Sequence, residues 1–240
     1  MGRSEVKFYL GGIEEVSTVD WPGKIVTLIF FGGCNLRCRY CQNSHILEQK
    51  EGMLTNISKV KEEILKNLAL LDGILLTGGE PTLQEEALLE LARWAKKKGL
   101  LVGLETNGTR PEVIEKMLGE GIVDFIALDV KAPLSDPELY KEMTGISEEL
   151  LEKVKKSLNI LRRSKVEHEI RTTIVPKLLK KEDLNKIYEE IGKNEVWVWQ
   201  KFKNSPYVLD KSLNEGFSEE DWREFTEASK NFENVILRFW

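Results

Sequence analysis

A chain of 240 residues is long enough for one large α/β domain with a sizeable core, and its 41% hydrophobic content is that of a globular protein. A formal net charge of −5 argues against unspecific binding to nucleic-acid phosphates. No run approaches the ~18 uninterrupted apolar residues of a membrane helix, and the start MGRSEVKFYLGG lacks the apolar core of a secretory signal, so a cytoplasmic location with no membrane partner is expected.

In chain order, the first β-rich run is KIVTLIFFG (24–32), followed by a loop that holds all three cysteines. A helix pattern near 56–70 leads to the strand GILLTG (73–78), and a second near 83–98 leads to LLVGLET (100–106). Helices near 110–119, 148–163 and 181–192 alternate with the strands VDFIALDVK (123–131), HEIRTTIV (168–175) and EVWVWQKF (195–202). In the last of these Trp197 and Trp199 alternate with Val196 and Val198, the pattern of side chains that cover a sheet against a helix. The end of the chain reads as a helix over 218–232, opened by Ser218, and a strand over 234–240.

Strict β/α alternation predicts a parallel sheet with helices outside it. Six repeats fit a partial (β/α)6 TIM-type barrel with a short C-terminal helix-strand tail: one domain over 1–240, core about 11–203, tail about 204–240. Chemistry in such a fold gathers where the strands end at their carboxyl side.

Those strand ends are where the unusual residues fall. GGCNLRCRYCQNSH places Cys34, Cys38 and Cys41 within eight residues and leaves no cysteine elsewhere. Three thiols so close make a poor disulfide framework and a good soft-metal donor set. Either a zinc ion takes them with His45 as a fourth ligand, or an iron–sulfur cluster takes them and keeps one iron open. Zinc sites usually add a second pair well downstream, which this chain lacks. TGGEPT (77–82) offers glycines for close backbone approach and Glu80 as an acceptor for an ammonium group; its plainer role is a turn into a helix that Pro81 opens. Asp129 and Lys131 stand two apart, so on a strand they share a face, and with Arg171 they need either partners or a polar ligand. His45 and His168 read as ordinary polar contacts, and Trp21-Pro22-Gly23 as a turn.

Cys-x3-Cys-x2-Cys with an aromatic, Tyr40, just before the last cysteine resembles the signature of radical S-adenosylmethionine (SAM) enzymes. The resemblance implies one [4Fe–4S] cluster on Cys34, Cys38 and Cys41, with SAM on the open iron. It also implies that Gly78, Gly79 and Glu80, after Thr77, meet the amino group of the SAM methionine. VDWPGKIVTLIFFGGCNLRCRYCQN together with TGGEPT, LETNG and LDVK resembles the glycyl-radical-enzyme activases, in particular those serving an anaerobic ribonucleoside-triphosphate reductase, over about residues 11–205. In that resemblance Glu105, Thr106, Asp129, Lys131, Arg171 and Gln200 surround SAM. The implied partners are a glycyl-radical enzyme and a ferredoxin or flavodoxin electron donor.

Two positions depart from the family pattern. Gln200 stands where relatives carry a histidine, and Glu105 where an aspartate is commoner; both keep hydrogen-bonding capacity, while a monovalent-cation site beside SAM loses support. The absence of a second cysteine group implies the minimal architecture. Alternatives are a pyruvate formate-lyase-like client, a small-molecule or RNA substrate on the same SAM site, and a zinc-stabilised binding module without catalysis.

Overall fold

The computed structural model describes residues 5–215 and 218–238. One nine-stranded sheet runs through the described residues. Its strands are β1 (Lys7–Ser17), β2 (Val26–Phe31), β3 (Leu54–Asn56), β4 (Gly73–Gly78), β5 (Leu101–Thr106), β6 (Phe125–Asp129), β7 (Glu167–Ile174), β8 (Trp197–Lys201) and β9 (Val235–Arg238), in the spatial order β3-β1-β2-β4-β5-β6-β7-β8-β9. From β2 to β9 every neighbouring pair is parallel; β1 joins β2 and β3 antiparallel. The order does not close on itself, so the sheet is an open, partial barrel, as the alternation predicts.

Helices α1 (Ile57–Lys66), α2 (Glu85–Lys97), α3 (Pro111–Gly119), α4 (Pro137–Thr144), α5 (Glu148–Arg163), α6 (Lys181–Ile191) and α7 (Glu219–Ser229) connect the strands. Local chemistry explains their limits. The Ser147 hydroxyl accepts from Leu150 N at 3.3 Å to open α5, acids Glu148 and Glu149 lie in its first turn, and Arg162 and Arg163 in its last. Its buried Leu151, Val154, Leu158 and Leu161 recur at helical spacing. Ser218 and Asp221 form a reciprocal capping box at the start of α7.

Two strands and one helix were not expected from the sequence. β1 carries Gly11, Gly12 and the pair Glu14-Glu15, and its pairing with β2 is interrupted twice, so it lacks clean alternation. The short β3 pairs with β1 over Lys7–Tyr9, outside the expected core. α4 is only eight residues long, yet its signals are present: Asp136 as N-cap, Pro137 in the first turn, and Gly145 left-handed after the end. The tail strand begins as expected and extends the sheet beside β8; Phe239 and Trp240 lie outside the described residues.

Register sorts the strand residues onto two faces. Ile29, Ile74, Leu76, Val102, Leu104, Ile126, Leu128, Ile170, Trp197 and Trp199 are buried in the larger core cluster with the apolar faces of the helices, each worth about 1.5–3 kcal/mol of transfer free energy. The two tryptophans thus cover the sheet, as expected. The concave face carries the other parity and is graded along its length. Toward the strand starts it is apolar: Val26, Leu28, Leu75, Phe125 and Ala127 close around Trp21. Trp21 stacks on Phe125 at a 5.0 Å centroid distance, and a Cβ on Gly103 would meet its ring at 3.0 Å. The Trp21-Pro22-Gly23 turn therefore plugs the barrel floor. Toward the strand ends the same face turns polar, with Thr77, Glu105, Asp129, Glu169, Arg171, Thr173, Gln200 and Arg238 in register.

Candidate active site

The cysteine loop leaves β2 through Gly32 and Gly33 and is clamped from three sides. Gly33 N donates to Ile46 O at 2.7 Å and Cys34 N to Leu47 O at 3.0 Å, which ties the loop's two ends together. Arg37 N and Arg39 N donate to Thr144 O (2.8 Å) and Met143 O (2.9 Å), filling carbonyls at the end of α4. From the tail, Leu209 N reaches Cys41 O (3.2 Å) and Asp210 N reaches Arg39 O (2.8 Å), while the Arg39 guanidinium bonds Asp210 and Glu142, each at 2.9 Å. Cys34, Cys38 and Cys41 form no disulfide.

All three cysteines line one cavity of about 320 Å³ at the carboxyl ends of the strands. Tyr40, Gly78, Gly79, Asp129, Lys131 and Gln200, all singled out from sequence, share its wall. The two glycines are demanded by a backbone crossing. Gly79 N donates to Phe31 O and Glu80 N to Gly33 O, both at 2.8 Å, and a Cβ on Gly78 (φ 121°) would lie 2.6 Å from Phe31 O. The Asp129 carboxylate accepts from Lys131 Nζ at 2.8 Å, and that ammonium lies 6.0 Å from the Tyr40 ring centroid. Burial opposes the Lys131 charge, but Asp129 overcomes it and holds the ammonium well above its ordinary range. Burial pushes the Cys34 thiol up to about 12 and the Cys38 thiol up to about 11, the latter eased by Lys131.

The other expected residues stand behind the wall. Glu80 is fully buried, and its carboxylate is taken up by four donors: Thr82 N (3.1 Å), the hydroxyls of Thr82 (2.5 Å) and Thr106 (2.8 Å), and Asn107 N (2.7 Å). It faces these donors because a buried carboxylate has to be satisfied. The expectation that it waits for a ligand's ammonium group is therefore not what its contacts offer. Thr77 donates to Glu105 at 2.6 Å. Arg171 bonds Glu105 and Glu169 and donates to Asp20 O at 3.2 Å, and Arg238 makes a two-pronged pair with Glu169. Arg171 thus belongs to a buried chain of alternating charges across β5, β7 and β9, and the neighbouring acids raise its basicity despite burial.

Sequence reasoning did not single out Asp20, Asn107, Thr173 or Arg238, which also line the cavity. Asn107 was within sight, since it follows Thr106 in the quoted LETNG. Arg238 had no local signal: only the register of β9 against β8 brings it inward, opposite Gln200. His45 is not among the lining residues; its ring packs on Tyr207 at 4.2 Å. His168 bridges Glu195 (2.8 Å) and Val166 O (2.9 Å) as an ordinary polar contact.

Residues 28–191 match the family described as the Radical SAM superfamily. A protein of Methanocaldococcus jannaschii, provisionally named a glycyl-radical enzyme activating enzyme, is 35% identical over 97% of both chains. The pyruvate formate-lyase-activating enzyme of Clostridium pasteurianum is 32% identical, with 55% of this chain matching 56% of that one. The pyruvate formate-lyase 1-activating enzyme of Escherichia coli K12 is 30% identical, with 56% matching 55%. Among solved structures, Streptococcus suis SuiB bound to S-adenosylmethionine superposes with a TM-score of 0.66 at 13% identity, covering 89% of this chain and 51% of that one. Escherichia coli QueE superposes with a TM-score of 0.56 at 14% identity, covering 97% and 94%. Those two likenesses concern the fold alone. The chain belongs to the radical SAM superfamily, whose members use SAM and an iron–sulfur cluster, and within it to the glycyl-radical-enzyme activating type.

Proposed function

We propose that this enzyme holds one [4Fe–4S] cluster on Cys34, Cys38 and Cys41, binds SAM beside it, and installs a glycyl radical on a partner enzyme. The observation that carries the reading is the single cavity shared by three thiols, the bare backbone of Gly78 and Gly79, and the Asp129–Lys131 pair.

The residues fit the cluster. Among the described residues no three His, Cys, Asp or Glu side chains are arranged to hold one metal ion. Three thiols that share one cavity suit three sulfurs gripping three irons, and the packing of His45 on Tyr207, away from that cavity, disfavours the zinc alternative. Loading has to drive off the protons that burial keeps on the thiols.

The cavity wall supplies a hard-acceptor and donor set for SAM. Gly78 and Gly79 leave the strand end without a side chain where a ligand's amino group would lie. Lys131, kept charged by Asp129, offers a cation to a carboxylate, and Gln200 offers both a donor and an acceptor to a sugar or base. Glu80, Glu105, Thr106 and Arg171 serve by fixing the strand ends that carry these groups. When bound, cluster and SAM supply one-electron cleavage of the sulfonium and a 5′-deoxyadenosyl radical able to take a hydrogen atom from a glycine Cα. No side chain of the chain needs to act as an acid or base; the protein's part is position and exclusion of solvent.

The motif resemblance carried by VDWPGKIVTLIFFGGCNLRCRYCQN, TGGEPT, LETNG and LDVK favours an anaerobic ribonucleoside-triphosphate reductase as client, with a ferredoxin or flavodoxin as donor. A pyruvate formate-lyase-like client is the second reading, favoured by the two partial-length relatives. The tail belongs to the same domain in this reading: Val208, Leu213 and Phe225 are buried in the main core and Arg238 lines the cavity. The test is anaerobic incubation of the reduced enzyme with SAM and each candidate client, followed by electron paramagnetic resonance (EPR). A glycine-centred doublet on the reductase supports the reading. Silence with every client alongside rapid SAM cleavage refutes it.

A further inference from the structure

Asn107 is held more tightly than a turn residue needs to be. It follows β5, is 5% exposed, and its backbone N–H donates to Glu80 Oε2 at 2.7 Å. Its side-chain Oδ1 accepts from Thr109 N (3.0 Å) and from the Thr109 hydroxyl (2.7 Å). The amide nitrogen donates to Asn35 Oδ1 at 3.0 Å and lies 3.8 Å from Cys34 Sγ. Asn35 is itself anchored, since its Nδ2 donates to the Thr109 hydroxyl at 2.8 Å.

These contacts leave the amide no freedom to flip. Reversal would aim NH2 at the Thr109 N–H and put two oxygens against each other at Asn35. One amide hydrogen is satisfied by Asn35, and the other is left for the sulfur. Cys34 Sγ also receives Leu36 N at 3.4 Å, so two N–H groups converge on one sulfur. Neutral thiols have little use for two donors. A metal-bound thiolate has, because hydrogen bonds to ligand sulfurs and the charge around a cluster set its reduction potential.

We propose that Asn107 is a positioning residue for the iron–sulfur cluster: its side-chain N–H bonds the Cys34 sulfur and raises the cluster's reduction potential. This rests on the reading that Cys34, Cys38 and Cys41 hold that cluster. The donor draws electron density from the sulfur and so favours the reduced, more negative state. The same residue ties the strand end to the cysteine loop, because its backbone is fixed by the Glu80 carboxylate.

The experiment compares wild type with Asn107→Asp, which keeps the Oδ1 acceptor and loses the N–H, and Asn107→Leu, which loses the N–H without adding charge. Each is reconstituted anaerobically, assayed for iron and sulfide, and titrated against a series of poised potentials by EPR. Both variants should titrate at more negative potentials, and at the wild-type midpoint the reduced fraction should fall several-fold. Equal potentials at equal iron and sulfide overturn the proposal. A measurement on wild type guards against misfolded variants: with side-chain 15N-asparagine, pulsed EPR of the reduced cluster should show a nitrogen coupling, and its absence overturns the proposal. Failure of wild type itself to hold iron and sulfide would instead refute the underlying reading, and this proposal with it.

Discussion

Gly79→Ala tests the crossing that brings the β4 end against the cysteine loop. A Cβ at this position would lie 2.8 Å from the Gly33 carbonyl carbon, with the Gly33 oxygen closer still. Ordinary carbon–carbon contacts run at about 3.5–4.0 Å, so two backbone segments have to part by roughly 1 Å. The obstacle is main chain on both sides, so no rotamer change can relieve it. Overpacking of this kind costs about 1–3 kcal/mol. Parting also stretches the 2.8 Å bond from Glu80 N to Gly33 O, which adds about 1 kcal/mol. A total of about 2–4 kcal/mol corresponds to a melting temperature lower by roughly 5–15 °C in a chain of this size. Thermal unfolding of the metal-free protein by circular dichroism reads this out, with iron and sulfide content after reconstitution as a second measure. Gly12→Ala is the internal control, because nothing lies within 4 Å of its Cβ position. A Gly79→Ala protein that melts with wild type and loads a full cluster would show that the crossing is not what requires glycine.

Arg238→Met removes one of the two guanidiniums that neutralise buried Glu169. Breaking a buried ion pair from one side costs up to roughly 3–5 kcal/mol, and denaturant titration should register it; an unchanged midpoint would contradict the charge chain described across β5, β7 and β9. The metal-free thiols give a pH prediction. Burial raises Cys34 to about 12 and Cys38 to about 11, so their thiolate fraction at pH 8 lies below that of a free cysteine and grows as pH rises. Alkylation followed by mass spectrometry should find both slower than free cysteine at pH 8, and each faster at pH 10 than at pH 8. Reaction at the free-cysteine rate would mean that the loop is open without its metal.

The sequence exposed those features whose causes are local. Six parallel strands, their helices, the tail and the cysteine loop could be read because apolar period and turn chemistry act over a few residues. The placement of Cys34, Gly78 and Asp129 around one cavity followed from the general rule about strand ends, whereas Tyr40 and Gln200 were marked only by the family resemblance. What escaped depends on distant partners. β1 has two glycines and two pairing irregularities, so its strand character comes from β2 and β3 rather than from its own pattern. Glu80 could be recognised as part of a motif, but its orientation is set by donors on Thr82, Thr106 and Asn107, one of them 27 positions away. Arg171 stands on the concave face, where ion pairs with Glu105 and Glu169 consume it; of the two roles open to it from sequence, partners rather than a polar ligand are what its contacts show. Arg238 was invisible because its inward direction is decided by the pairing of β9 with β8. α4 is the exception, for Asp136, Pro137 and Gly145 were all legible and only its shortness hid it.

The most direct test of the account is release of 5′-deoxyadenosine by anaerobically reconstituted protein given SAM and a low-potential reductant. Wild type should release it, and Cys34→Ala, Cys38→Ala and Cys41→Ala should each reduce release to the level of buffer. Release that survives the loss of Cys38, or a wild type that cleaves no SAM while carrying full iron and sulfide, would contradict the central claim.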